Sequence, residues 1–148
     1  MPVPFITDNN AMTDKPLHIT LWVAQILLAL GFGFFGFTKA TGDLAVLSQM
    51  MTWIPSVPAA FIRFIGIAEI LGAIGMILPS ATRIKPMLTP LAALGFATIQ
   101  VLAIGLHAMR GETAFTIGLN LPLLALALFV MWGRGRKLPI ASRTSIPA

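Results

Sequence analysis

The chain has no cysteine. Disulfides, thiol redox chemistry and iron–sulfur ligation by its own residues are therefore excluded, although the absence says nothing about compartment. It is also poor in charge. Only 10% of its residues are charged, where an ordinary soluble domain carries roughly 25%. With 57% hydrophobic residues and a mean hydropathy of +0.88, there is too little polar surface to cover a water-soluble globule. No phosphate-cradling loop, dinucleotide fingerprint or inverted repeat is present. The formal net charge of +5 does not point to nucleic acid. The basic residues fall at the ends of apolar runs, where they mark topology. Residues 1–17 lack the form of a cleavable signal peptide, and the first apolar run is too long for one.

What is there is a set of long apolar runs. Ala60–Pro79 is the organising one, about twenty residues long, the length needed to cross a bilayer. The others run over about Leu17–Thr38, Met87–His107 and Ala114–Trp132. The 148 residues thus predict one all-α domain, a four-helix transmembrane bundle over residues 17–133. A short interfacial segment joins helices 1 and 2. Within it Thr41-Gly-Asp43 reads as a helix start, and Leu44–Met51 as a short amphipathic helix lying in the interface, the segment as a whole forming a lid over one end of the bundle. Residues 1–16, broken by prolines, are expected to be a disordered tail, and 134–148 a basic tail that ends in a disordered Pro-containing, Ser/Thr-rich stretch. Four spans put both termini on one side, with Lys15, Arg83, Lys85, Arg134, Arg136, Lys137 and Arg143, seven of the ten basic residues. The positive-inside rule makes that side cytoplasmic, in a plasma (inner) membrane protein. Trp22 and Trp132 then mark the inner interface and Trp53 the outer one.

The topology gathers polar residues in the outer half of the bundle. Glu69 lies roughly 13 Å deep in the second span. A charge there costs roughly 2.5–3.5 kcal/mol on insertion scales, so it needs a partner or a purpose. Arg63 precedes it by six residues, about 120° around the helix, so Lys39 or His107 from a neighbouring helix is as good a partner. Lys39 either snorkels outward or turns inward. Gln100 lies seven residues below His107 on the same helical side. Asn120, with Thr116 one turn above, completes the set from the fourth span, where Pro122 should kink the helix. The inner half holds Gln25 and little else. Each residue also has a structural reading: Glu69 as half of a register-fixing ion pair, Arg110 and Lys39 as interface anchors, His107 as a boundary residue, Gln100 and Asn120 as interhelical glue. His18 and His107 lie at opposite ends, so they cannot share one haem.

The segments FGFFGFTKATG (32–42), FIRFIGIAEILGAIGMILP (61–79), HAMRGE (107–112) and NLPLLALALFVMWGR (120–134) resemble the DoxX-like family of small four-helix membrane proteins. The second is the most specific. The resemblance covers about Leu21–Arg136 and implies a compact bundle. It carries Lys39, Arg63, Glu69, His107 and Asn120 over as candidate site residues. Pro122 departs from the usual apolar run. Relatives in the wider group include membrane subunits of a thiosulfate:quinone oxidoreductase, which implies an accessory role beside a redox partner.

The leading expectation is an outward-facing polar pocket for a lipophilic small molecule, quinone above all, with no intrinsic cofactor. Glu69 and His107 would be the catalytic pair, exchanging protons or hydrogen bonds. Lys39, Arg63, Gln100 and Asn120 would bind the ligand. Metal ligation is not expected. Any enzyme role would be as a membrane subunit of an oxidoreductase, with a redox protein or a second copy as partner. The rival expectations are a proton-coupled small-molecule transporter and a structural subunit without chemistry.

Overall fold

The computed structural model describes residues 9–143. They form α1 (Asn9–Thr41), α2 (Leu44–Met50), a 3-10 turn (Ile54–Ser56), α3 (Ala59–Thr82), α4 (Leu88–Met109), α5 (Thr113–Trp132) and a π-helical turn (Gly133–Lys137). The fold is all-α, and four of the helices are long and apolar enough to cross a membrane. Their outer faces carry large apolar side chains such as Leu30, Phe34, Phe64, Leu71 and Leu102, all exposed. A helix apolar on every side is stable only where its surroundings are apolar too.

α1 packs chiefly on α3, and α4 chiefly on α5. α3 against α4 joins the two pairs, and α1 against α5 closes the ring. Leu28, Phe32, Met76, Phe96, Ala127 and Val130 fill the centre. The rings of Phe32 and Phe96 stack with centroids 3.8 Å apart. Lipid tails are as apolar as these side chains, so close packing rather than escape from water holds such helices together. Gly36 and Gly66 show how. A Cβ at Gly66 would lie 2.6 Å from Ala40 N and 2.7 Å from Gly36 O, and one at Gly36 would lie 2.8 Å from Glu69 Cβ. The α1 and α3 backbones meet at this crossing, and only glycine fits. Ser80 and Thr89 share a hydroxyl–hydroxyl bond of 2.8 Å that ties α3 to α4.

The connection between α1 and α3 forms as expected. Asp43 caps α2 by accepting from Ala45 N at 2.8 Å, and Leu47 and Ile54 bury against Ile62 of α3. Two boundaries need correction. The described helix α1 begins at Asn9, not Leu17, and runs through Pro16. Proline's fixed φ is already helical, so the helix continues through it despite the loss of one backbone hydrogen bond and the crowding of its ring against the preceding turn. Residues 134–137 are not tail but the π turn that continues α5. The expectations for residues 1–8 and 144–148 lie outside the described residues. Pro122 sits inside α5, which continues through it.

Candidate functional site

The site is built at the crossing of α1 and α3. Gly36 and Gly66 bring the last turn of α1 level with the second turn of α3. Side chains on a helix lean toward its N-terminus. Lys39, near the C-terminal end of α1, therefore leans back along the bundle rather than out of it. Its Nζ donates to both oxygens of Glu69, at 2.7 Å to Oε1 and 2.6 Å to Oε2. Lys39 is 7% exposed and Glu69 3%. Phe35 flanks the ammonium, its ring centroid 6.0 Å from Nζ.

Arg63 takes the other end of the same residue. Its Nη1 donates to the Lys39 carbonyl oxygen at 2.8 Å. That carbonyl is one of the four that a helix leaves free at its C-terminus, where a cation is favourable. Arg63 caps α1 while the Lys39 side chain neutralises Glu69. The 120° between Arg63 and Glu69 is thus used, because the two reach different atoms of one partner.

His107 does not join this pair. It is buried at the end of α4, and its Nδ1 lies 2.7 Å from Oε2 of Glu112. The backbone explains why. Glu112 N bonds to His107 O at 3.0 Å and Gly111 N to Ala108 O at 3.2 Å, with Gly111 at φ 72°. This is the Schellman closure of a helix, which needs a left-handed residue just past the cap and brings the next residue back over the last turn. The same closure delivers Glu112 to His107. A carboxylate only accepts, so Nδ1 carries the proton.

Glu112 Oε1 also accepts from Thr52 Oγ1 at 2.8 Å and from Arg110 Nε at 2.9 Å. Arg110 reaches on to Ser56 Oγ at 2.6 Å and the Thr52 carbonyl at 3.0 Å. The bonds from His107, Thr52 and Arg110 hold the Glu112 carboxyl well below the usual carboxylate range, at about 2. Arg110 and Glu112 latch the segment after α2 to the turn between α4 and α5. Glu112 is not among the residues expected from sequence; its one signal there is Gly111, four residues after His107.

Gln100 is buried and Asn120 half-buried, and neither side chain hydrogen-bonds another described residue. The side chain of Thr116 lies outside the described residues. At the end where α1 begins and α5 ends, Gln25 has company. Its Nε2 donates to Met76 O at 2.7 Å, and its Oε1 accepts from Arg134 Nε at 2.7 Å. Arg134 is 2% exposed. The π turn swings it inward, and Gly133 leaves room for Leu21 where any side chain would collide. The expectation that Gln25 stands nearly alone there is corrected. No group of residues suited to a metal ion occurs among the described residues.

Four apolar spanning helices around a buried ion pair define a multi-pass membrane protein. The family model of the DoxX-like family matches residues 23–130, most of the chain, and the chain belongs to that family. The match spans all the candidate site residues. No curated protein and no solved structure matches the chain.

Proposed function

We propose that this DoxX-like protein is an accessory membrane subunit of a redox complex that holds a quinone at the Lys39–Glu69 pair. The observation that carries the reading is the pair itself: an acid and an amine, both buried, inside an apolar bundle. Ionisable groups at such depth are costly and are functional by default. The Lys39 ammonium has three protons and gives two to Glu69. The third is a donor for a quinone carbonyl, and Glu69 is the acid–base group beside it. Electrons come from the partner protein. This chain contributes position, a hydrogen bond and a proton path. His107, whose Nε2 has no partner among the described residues, is the second proton-exchanging candidate.

Binding of a short-chain ubiquinone analogue to the purified protein in nanodiscs tests this. Wild type binds saturably, and Glu69→Gln and Lys39→Met each weaken binding at least tenfold. Equal binding by all three proteins overturns the assignment. A protein that binds no quinone, yet loses thermal stability in both variants, is a structural subunit whose ion pair fixes helix register.

A further inference from the structure

The end of the bundle where α1 begins and α5 ends holds two cavities, of about 550 and 230 Å³, at some distance in sequence and fold from the Lys39–Glu69 pair. They share His18, Arg83 and Ile140 in their walls. The larger is bounded by the start of α1, by Arg83 just past α3, and by the strap Leu138–Ala141. The strap is pinned where Arg143 N donates to the Arg83 carbonyl at 3.1 Å. Lys15 and Arg83 bring two positive charges to its walls, and Asp14 one negative charge.

Behind His18 stands Arg134. Its Nε is taken by Gln25 and its Nη1 lies 3.2 Å from His18 Nδ1. Its Nη2 is buried with no acceptor among the described residues. No carboxylate pairs with Arg134 among the described residues. His18 is itself crowded by donors. The indole Nε1 of Trp22 donates to His18 Nε2 at 3.1 Å, while Arg134 faces the other ring nitrogen. A neutral imidazole offers only one acceptor, so the cluster carries more N–H groups than it has acceptors for. A buried guanidinium with an unused donor and no counter-charge is costly. Arg134 lines neither cavity, but His18, which it faces, lines both, so an anion beside His18 offsets the guanidinium charge through space.

The geometry points to a binding site for the headgroup of an anionic phospholipid. The phosphate meets Lys15 and Arg83 at the wall, with the Arg134–His18 pair supplying positive potential from behind. The acyl chains lie along Ile19, Leu138 and Ile140. The largely apolar walls, at the ends of apolar spans, favour a lipid over a free anion. Basic pockets at the ends of membrane helices are suited to such headgroups. This inference is independent of the quinone reading.

The test is thermal unfolding of the full-length protein in mild detergent, titrated with short-chain phosphatidylglycerol, phosphatidylcholine of the same chain length, or inorganic phosphate. A ligand bound only by the folded state raises the midpoint. Phosphatidylglycerol raises it saturably and phosphatidylcholine does not. The paired variant Lys15→Gln/Arg83→Gln, altered only at exposed residues, shifts the titration at least tenfold to higher lipid. Arg134→Gln does so too if it folds. Glu69→Gln starts from a lower midpoint but responds to phosphatidylglycerol over the same concentrations as wild type, which separates this site from the quinone assignment. Equal effects of the two lipids, or an unchanged titration in the paired variant, overturn the proposal. A full shift from inorganic phosphate alone overturns the lipid and leaves a soluble anion as the occupant.

Discussion

Lys39 has a choice that only its neighbours decide. A lysine one turn from the end of a membrane helix ordinarily snorkels toward water. Here the lean of side chains toward the N-terminus and the Gly36–Gly66 crossing place Glu69 within reach instead. Removing one partner of a buried pair costs roughly 3–5 kcal/mol, because the other charge is left uncompensated. Glu69→Gln and Lys39→Met should therefore each lower the unfolding midpoint in detergent. The double variant Lys39→Met/Glu69→Leu should recover most of the loss. A double variant no better than the singles would show that the pair is not the source of the effect.

Glu112 makes a second residue-scale prediction. Its carboxyl titrates at about 2 in the folded protein, against 4.5 for the free group. A depressed folded pKa means that the latch contributes fully above about pH 4.5 and is lost as the pH falls toward 2. Hydrogen exchange in residues 44–57 should accelerate over that window in wild type. In Glu112→Gln it should be fast already and nearly independent of pH. Identical profiles would rule out Glu112 as the latch.

At the scale of elements, the crossing of α1 and α3 rests on two glycines. The atoms that a Cβ at Gly66 would meet are backbone, which cannot swing aside. Gly66→Val should push the helices apart, separate Lys39 from Glu69 and lower the unfolding midpoint by at least as much as Glu69→Gln. Gly95, whose Cβ would meet nothing within 4 Å, supplies the control, since Gly95→Ala should be tolerated. Equal tolerance at both positions would contradict the close crossing.

The elements also show what was legible beforehand. The spans are visible because each is a run of apolar residues of bilayer length, and the Asp43 cap because its side chain acts on its own neighbourhood. The candidate residues at the end opposite the termini were visible as polar interruptions of those runs. Their pairings were not, because pairing depends on lean and closure. Glu112 looked like a loop residue until the Schellman turn folded it back. Arg134 looked like one more member of a basic tail, since nothing in GRGRK announces a π turn that buries one arginine and leaves Arg136 and Lys137 exposed. Pro16 does not break α1, because its local preference yields to the helix that continues on both sides of it.

For the whole molecule, the distribution of basic residues predicts the orientation. Most of them lie at the end with both termini, which the positive-inside rule assigns to the cytoplasm. The lack of cysteine makes this directly testable, because any introduced thiol is the only one. Gln49→Cys, on α2, should react with an impermeant maleimide in intact cells. Ala141→Cys, on the strap, should react only after permeabilisation. The reverse pattern would invert the molecule and turn the phospholipid site to the outer leaflet.

The central claim is that the buried Lys39–Glu69 pair holds a quinone. Native mass spectrometry of the untagged protein, released from mild detergent, tests it most directly when joined to lipid extraction of the same sample. The account predicts a co-purifying quinone in wild type that is absent from Glu69→Gln, while the variant still inserts and folds. A quinone retained equally by both proteins, or found in neither, would contradict it.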